Sequence, residues 1–299
     1  MAHKFWIAWV LILTGWIATP VQAKVIVEEK SLYRNVLVYE ENGLRCMKFG
    51  KHDNGRQACI ALDNPEAIVF NSPKMQLGAL YLNPSPRNAL IIGLGGGIVT
   101  VALQKMYPDI QIDNVEIDPA VVKVSQQFFH FTPSRNTRIY TDDGRVFVKQ
   151  ALRKKLQYDM IFLDAFDHLS VPEHMTTREY LLELKALLAP DGVMAANTFS
   201  SGQLHAAESA TYADVFGPYY NLQVHNRVIL TRLGGLPGMD QIRQNAARMK
   251  ERFDQLSIDA NWLVPLFATD ARWPAGTRLL TDQYSPSNLL NGRPLEQTP

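Results

Sequence analysis

The chain has 299 residues, 46% of them hydrophobic and 20% charged, which excludes a largely disordered protein and suits one large domain with an appendage. Lys and Arg number 30 against 29 Asp and Glu, a formal net charge of +1. No basic stretch is dense enough for a nucleic-acid footprint, so nucleic acid is set aside as a partner.

Lys4 precedes an apolar run over residues 5–18, and Val21-Gln22-Ala23 supplies the small residues a signal peptidase reads. The sequence therefore predicts an export signal over residues 1–23, a mature chain starting near Lys24, and a periplasmic or exported protein with no stable membrane span after cleavage. The alternative is an uncleaved inner-membrane anchor, although the run is shorter than the roughly 20 residues of a spanning helix. Residues 24–85 read as a small antiparallel β domain. Its strands are expected at 25–28, 33–39, 44–49 and 57–62, separated by Asn-Gly and Asp-Asn-Gly turn signals. Cys46 and Cys59 flank the turn-rich stretch 51–55, where a disulfide across a hairpin and two buried free thiols are both open readings. A helix over 72–81 and the linker Asn83-Pro84-Ser85-Pro86 follow.

Over residues 86–233 the pattern becomes alternating strands and helices. Strands are predicted at 89–92, 112–117, 138–140, 159–163, 192–198 and 228–233. Helices are predicted at 98–106, at 119–129 with Pro119 in its first turn, and at 176–188, where Thr176 and Glu179 have capping-box spacing. This alternation implies a parallel sheet covered on both faces, an α/β fold. Residues 234–299 read as a C-terminal extension of one polar helix and loops.

Gly93-Leu94-Gly95-Gly96-Gly97 follows an apolar strand and opens a helix, so the backbone can approach a ligand with no Cβ in the way. The next strand ends in Glu116-Ile117-Asp118, near the offset of about 20 residues at which an acid binds ribose hydroxyls in this fold. Ile98 stands where a dinucleotide fingerprint wants its third glycine, which disfavours NAD and suits a phosphate-free nucleoside sulfonium or thioether. Asp142-Asp143-Gly144 and Asp164-Ala165-Phe166-Asp167 fall after the third and fourth strands, where open α/β sheets bind ligands. Asp143 can accept from an adenine amino group or cap a helix; Asp164 projects toward the reacting end.

These segments, with Tyr158-Asp159-Met160-Ile161-Phe162-Leu163-Asp164 and Leu188-Ala189-Pro190-Asp191-Gly192-Val193, resemble the successive signatures of the spermidine synthases, the polyamine aminopropyltransferases. The resemblance implies an AdoMet-methyltransferase-like Rossmann domain preceded by a small antiparallel β domain. It implies aminopropyl transfer from decarboxylated AdoMet to a small-molecule amine, with methylthioadenosine released. Glu116 would hold the ribose and Asp143 the adenine, with Gln57, Gly93, Gly95, Gly97, Ile117 and Gly144 completing the nucleoside-binding set. Asp164 would be the base for the amine and Asp167 a second anchor. Decarboxylated AdoMet or AdoMet would be a co-substrate, with no prosthetic group and no metal; a homodimer is left open.

Two departures bear on the amine. The family's glycine loop carries an Asp that grips the donor's ammonium, where this chain has Gly96; restoring it with Gly96→Asp is expected to improve donor binding. The family's Tyr-His-Glu element falls at Ser72-Pro73-Lys74, and a cationic Lys74 would repel a diamine. Alternatives are therefore carried: an AdoMet-dependent methyltransferase of unknown acceptor, or a non-catalytic periplasmic nucleoside- or polyamine-binding protein. His168, Glu173 and His174 lack zinc-helix spacing, with Pro172 intervening, and Ser200-Ser201-Gly202 reads as turn and helix cap rather than nucleophile.

Overall fold

A computed structural model describes residues 23–50, 55–165 and 172–290. Residues 1–22 of the export signal expected over 1–23, residues 51–54, Asp167, His168 and the extreme tail fall outside these residues. No helix among them is long and apolar enough to cross a membrane.

Four strands form the first sheet in simple antiparallel order: β1 (Lys24–Glu29), β2 (Val36–Glu41), β3 (Leu44–Phe49) and β4 (Arg56–Ala61). Asn42 and Gly43, both at positive φ, turn β2 into β3, the conformation that an Asn-Gly pair tolerates best. Opposite each other in the β3–β4 register stand Cys46 and Cys59, joined in a disulfide. The second strand starts later than its apolar run predicts, leaving Tyr33 and Arg34 in a loop.

After α1 (Asn71–Leu77) comes a seven-stranded sheet built from β5 (Asn88–Ile92), β6 (Gln111–Glu116), β7 (Thr137–Thr141), β8 (Tyr158–Leu163), β9 (Leu188–Thr198), β10 (Tyr220–Gln223) and β11 (Arg227–Arg232). Their order is β10-β11-β9-β8-β5-β6-β7, parallel from β9 to β7 and closed by two antiparallel strands. In β5, Ala89 and Ile91 face one core while Leu90 and Ile92 face the other, the period of two that a sheet covered on both sides requires. One core takes α1, α2 (Ile98–Met106) and, from the C-terminal extension, α7 (Met239–Asp254). The other takes α4 (Gly144–Arg153), α5 (Arg178–Leu187) and α6 (Gly202–Phe216). Between the sheets lies α3 (Pro119–Phe128), whose Val121 and Val124 pack on Val36, Val38, Met47 and Ile60 of the first sheet.

One helix start differs from expectation. The cap of α5 is Thr177, which accepts from the Tyr180 N–H, whereas the Thr176 hydroxyl donates to the Glu173 carbonyl; the capping-box reading chose the wrong one of two adjacent threonines. Its supposed partner Glu179 instead accepts from the backbone of Asp282. That contact belongs to a larger clamp: Arg145 makes ion pairs with both Glu183 and Asp282, fastening the C-terminal segment over α4 and α5.

Candidate active site

Chain order in the sheet reverses at β5, whose neighbours are β8 and β6, and the crevice beyond their carboxyl ends is where such folds bind ligands. A cavity of about 460 Å³ occupies it, walled by the first sheet on one side and by the strand ends on the other. Its size suits a small organic ligand.

The glycine turn forms the floor. Gly93, at φ +93°, passes so near the fourth motif that a Cβ would lie 2.1 Å from the Asp164 carbonyl oxygen; here no other residue fits. Gly95, also at positive φ, faces open space. Gly97 has a different task from the one expected of it. It is the cap residue of α2 at φ +74° and does not line the cavity; Phe131 lies 2.8 Å from where its Cβ would be, so packing requires this glycine rather than a ligand.

Glu116 ends β6 with both carboxylate oxygens engaged: Oε2 accepts from the Leu94 N–H at 2.9 Å and Oε1 from the Asp118 N–H at 3.0 Å. The acid and the glycine turn thus fix each other at the cavity wall. Burial pushes this carboxyl up, against the pull of those N–H donors. Asp143 is the α4 cap, with Oδ1 accepting from the Arg145 and Val146 N–H groups at 2.9 Å. Its Oδ2 lies 3.1 Å from His174 Nε2. Capping and cavity lining coexist, since Asp143, Gly144 and Ile117 all border the cavity. Gln57 reaches it from β4, two residues before the disulfide's Cys59.

At the other end Asp164 is half-buried, and burial pushes its carboxyl above the ordinary carboxylate range. The Asn197 amide on β9 donates to its Oδ1 at 2.9 Å, and Gln76 on α1 also favours its ionised form. Neither amide was anticipated from the sequence. Asn197 had a usable signal, its place near a strand's carboxyl end; Gln76 had only its oddity as a polar residue among Met75, Leu77 and Leu80. Other unanticipated wall residues are Asp118, Tyr33 and Arg34, the last lying over the Phe49 ring.

Both sequence-derived concerns about the amine end change in the structure. Lys74 does not border the cavity, although Pro73 and Gln76 do, so its charge does not face an amine there. Gly96 does border it, but a Cβ would lie 2.8 Å from Ala58 Cβ and 3.3 Å from the Phe129 ring. Strand-borne Ala58 has no rotamer through which to yield. No metal-binding group of His, Cys, Asp or Glu occurs among the described residues.

The sheet and its cavity at the switch point define a Rossmann protein of the methyltransferase-like fold class. Human methyltransferase-like protein 13, solved with SAH, matches with TM-score 0.57 at 24% identity over 62% of this chain and 93% of its own. A probable spermidine synthase from Corynebacterium glutamicum matches with TM-score 0.62 at 16% identity, covering 83% of this chain and 96% of its own. The spermine/spermidine synthase domain matches residues 74–232. The polyamine aminopropyltransferase of Vibrio vulnificus is 42% identical over 275 residues, 90% of this chain and 92% of that protein. The chain belongs to the spermine/spermidine synthase family.

Proposed function

We propose that the protein transfers an aminopropyl group from decarboxylated AdoMet to a small amine. One observation carries this reading: a single cavity presents a backbone-anchored acid, Glu116, at the glycine turn and a half-buried carboxyl, Asp164, just past the end of β8. In a chain this similar to a polyamine aminopropyltransferase, the first binds the ribose and the second serves the reaction. The amine nitrogen attacks the carbon beside the sulfonium, the C–S electron pair returns to sulfur, and methylthioadenosine leaves as a neutral thioether. Asp164 accepts the amine's proton, a task suited to a carboxyl made more basic by burial. Decarboxylated AdoMet is consumed as co-substrate. Methyl transfer is less favoured, because the likeness to a polyamine aminopropyltransferase is greater and covers more of the chain than the likeness to the methyltransferases.

The test is product analysis by mass spectrometry with decarboxylated AdoMet or AdoMet and a panel of diamines. An aminopropylated amine with methylthioadenosine is expected from the first donor alone; a methylated product from AdoMet would overturn the reading. Export forms part of the same proposal and is supported by the signal-like residues 1–23 and by the Cys46–Cys59 bridge, which suits an oxidising compartment. Intact mass from the native host should give a chain starting near Lys24; a full-length chain in the cytosol would contradict it.

A further inference from the structure

Gln76 is 0% exposed, borders the cavity, and has no hydrogen-bond partner for Oε1 or Nε2 among the described residues. A folded protein ordinarily satisfies such atoms, since each unpaired buried polar group is costly. Here the cost sits beside the residue assigned to the chemistry. Only the amide's N–H₂ end can favour an ionised carboxylate, and Gln76 and Asp164 line the same cavity. The amide oxygen is left for something else. Asp164 has a matching vacancy, because Asn197 occupies Oδ1 and no hydrogen bond reaches Oδ2 from the described residues. Among the described residues no charged side chain bears on Asp164, and the space beside Gly96 is filled by Ala58.

We infer that Gln76 is a second contact to the attacking amine, its Oε1 accepting one N–H while Asp164 accepts the other. This deepens the aminopropyl-transfer reading and rests on it. A primary amine has two N–H bonds and one lone pair, so fixing both hydrogens on two acceptors aims the lone pair at the donor carbon. The amide also differs chemically from a second carboxylate. Two anions would hold the amine as ammonium, whose lone pair is occupied; an anion and a neutral acceptor orient it at a smaller cost of deprotonation. When nitrogen bonds carbon and sulfur leaves, the surplus proton passes to Asp164, and Gln76 neither gains nor loses one.

The test uses Gln76→Met, which keeps length and volume, and Gln76→Glu, which keeps the acceptor but adds a charge. For Gln76→Met we expect kcat/KM for the amine to fall about tenfold or more, methylthioadenosine affinity to stay within about twofold, and Tm to rise as an unsatisfied amide is removed. For Gln76→Glu the rising limb of kcat against pH should move to higher pH. Wild-type kinetics in Gln76→Met, a fall in its Tm together with lost methylthioadenosine binding, or an unmoved pH profile in Gln76→Glu would each overturn the inference. If the wild-type protein turns over normally and Gln76→Met is indifferent, only this inference fails. If the wild-type protein releases no methylthioadenosine with any diamine, the functional reading fails with it.

Discussion

The two halves of the cavity treat their polar groups in opposite ways. At the glycine turn every acid is satisfied by the chain itself: Glu116 by two backbone N–H groups, Asp143 by two more at the start of α4. At the far side, formed by the end of β8 and by α1, Asp164 has one amide donor and Gln76 has none among the described residues. A half that holds a nucleoside gains from being rigid before the ligand arrives, because little ordering remains to be done on binding. A half that must take a proton from an amine needs an acceptor not already saturated. The difference between them is therefore a division of labour, and variants on either side should separate binding from chemistry.

The largest effect belongs to Asp164→Asn. The amide preserves shape but cannot accept the amine's proton, so transfer should fall by about 10²–10⁴-fold, measured as methylthioadenosine release at saturating substrates. Turnover at the wild-type rate would show that the far end does not supply the base.

Next comes Gly96→Asp, where sequence and structure give opposite answers. Restoring the carboxylate should improve donor binding if only chemistry mattered. With Ala58 2.8 Å from the new Cβ, we expect instead a loss of about 1–3 kcal/mol in stability and no gain in affinity for decarboxylated AdoMet, readable by denaturant unfolding and calorimetry. A stable variant with tighter donor binding would restore the simpler account.

The contrast also explains what the sequence made legible. The nucleoside half is written locally: a glycine turn, an acid one strand later, and an Asp before a helix are each read within a few residues. The far half exists only after folding. Gln76 and Asp164 line one cavity because α1 packs over the sheet, and Gly96 is blocked by Ala58 from the other sheet, 38 residues upstream. Neighbourhoods of that kind leave no spacing to count. Among the elements, α4 and α6 were legible only as possible starts: Asp143 does cap α4, whereas Ser201 precedes α6 without a side-chain cap bond. The Thr176–Glu179 spacing misled because two adjacent threonines offer two registers, and tertiary contacts of Thr176 with Ser285 and Ser287 chose between them.

The smallest effect on turnover should come from Glu208, which lies behind the far half and accepts from the Phe199 N–H, two residues past Asn197. Burial pushes its carboxyl from 4.5 up to about 7, against the pull of Arg227. A carboxyl that holds its proton more tightly when folded stabilises fully below about pH 4.5, and that contribution is lost as pH rises through about 7. The stability of the wild-type protein relative to Glu208→Gln should therefore decline across this window in pH-dependent thermal unfolding. A constant difference would place the charge elsewhere.

The division of labour is tested most directly by titrating methylthioadenosine calorimetrically into the wild-type protein, Asp164→Asn and Glu116→Ala. Losing Glu116 removes charge-assisted hydrogen bonds to the ribose of about 1.5–3 kcal/mol each, so affinity should fall at least about tenfold in Glu116→Ala, whereas Asp164→Asn should bind within about twofold of wild type. Equal binding in the wild-type protein and Glu116→Ala, or a tenfold loss in Asp164→Asn, would contradict it.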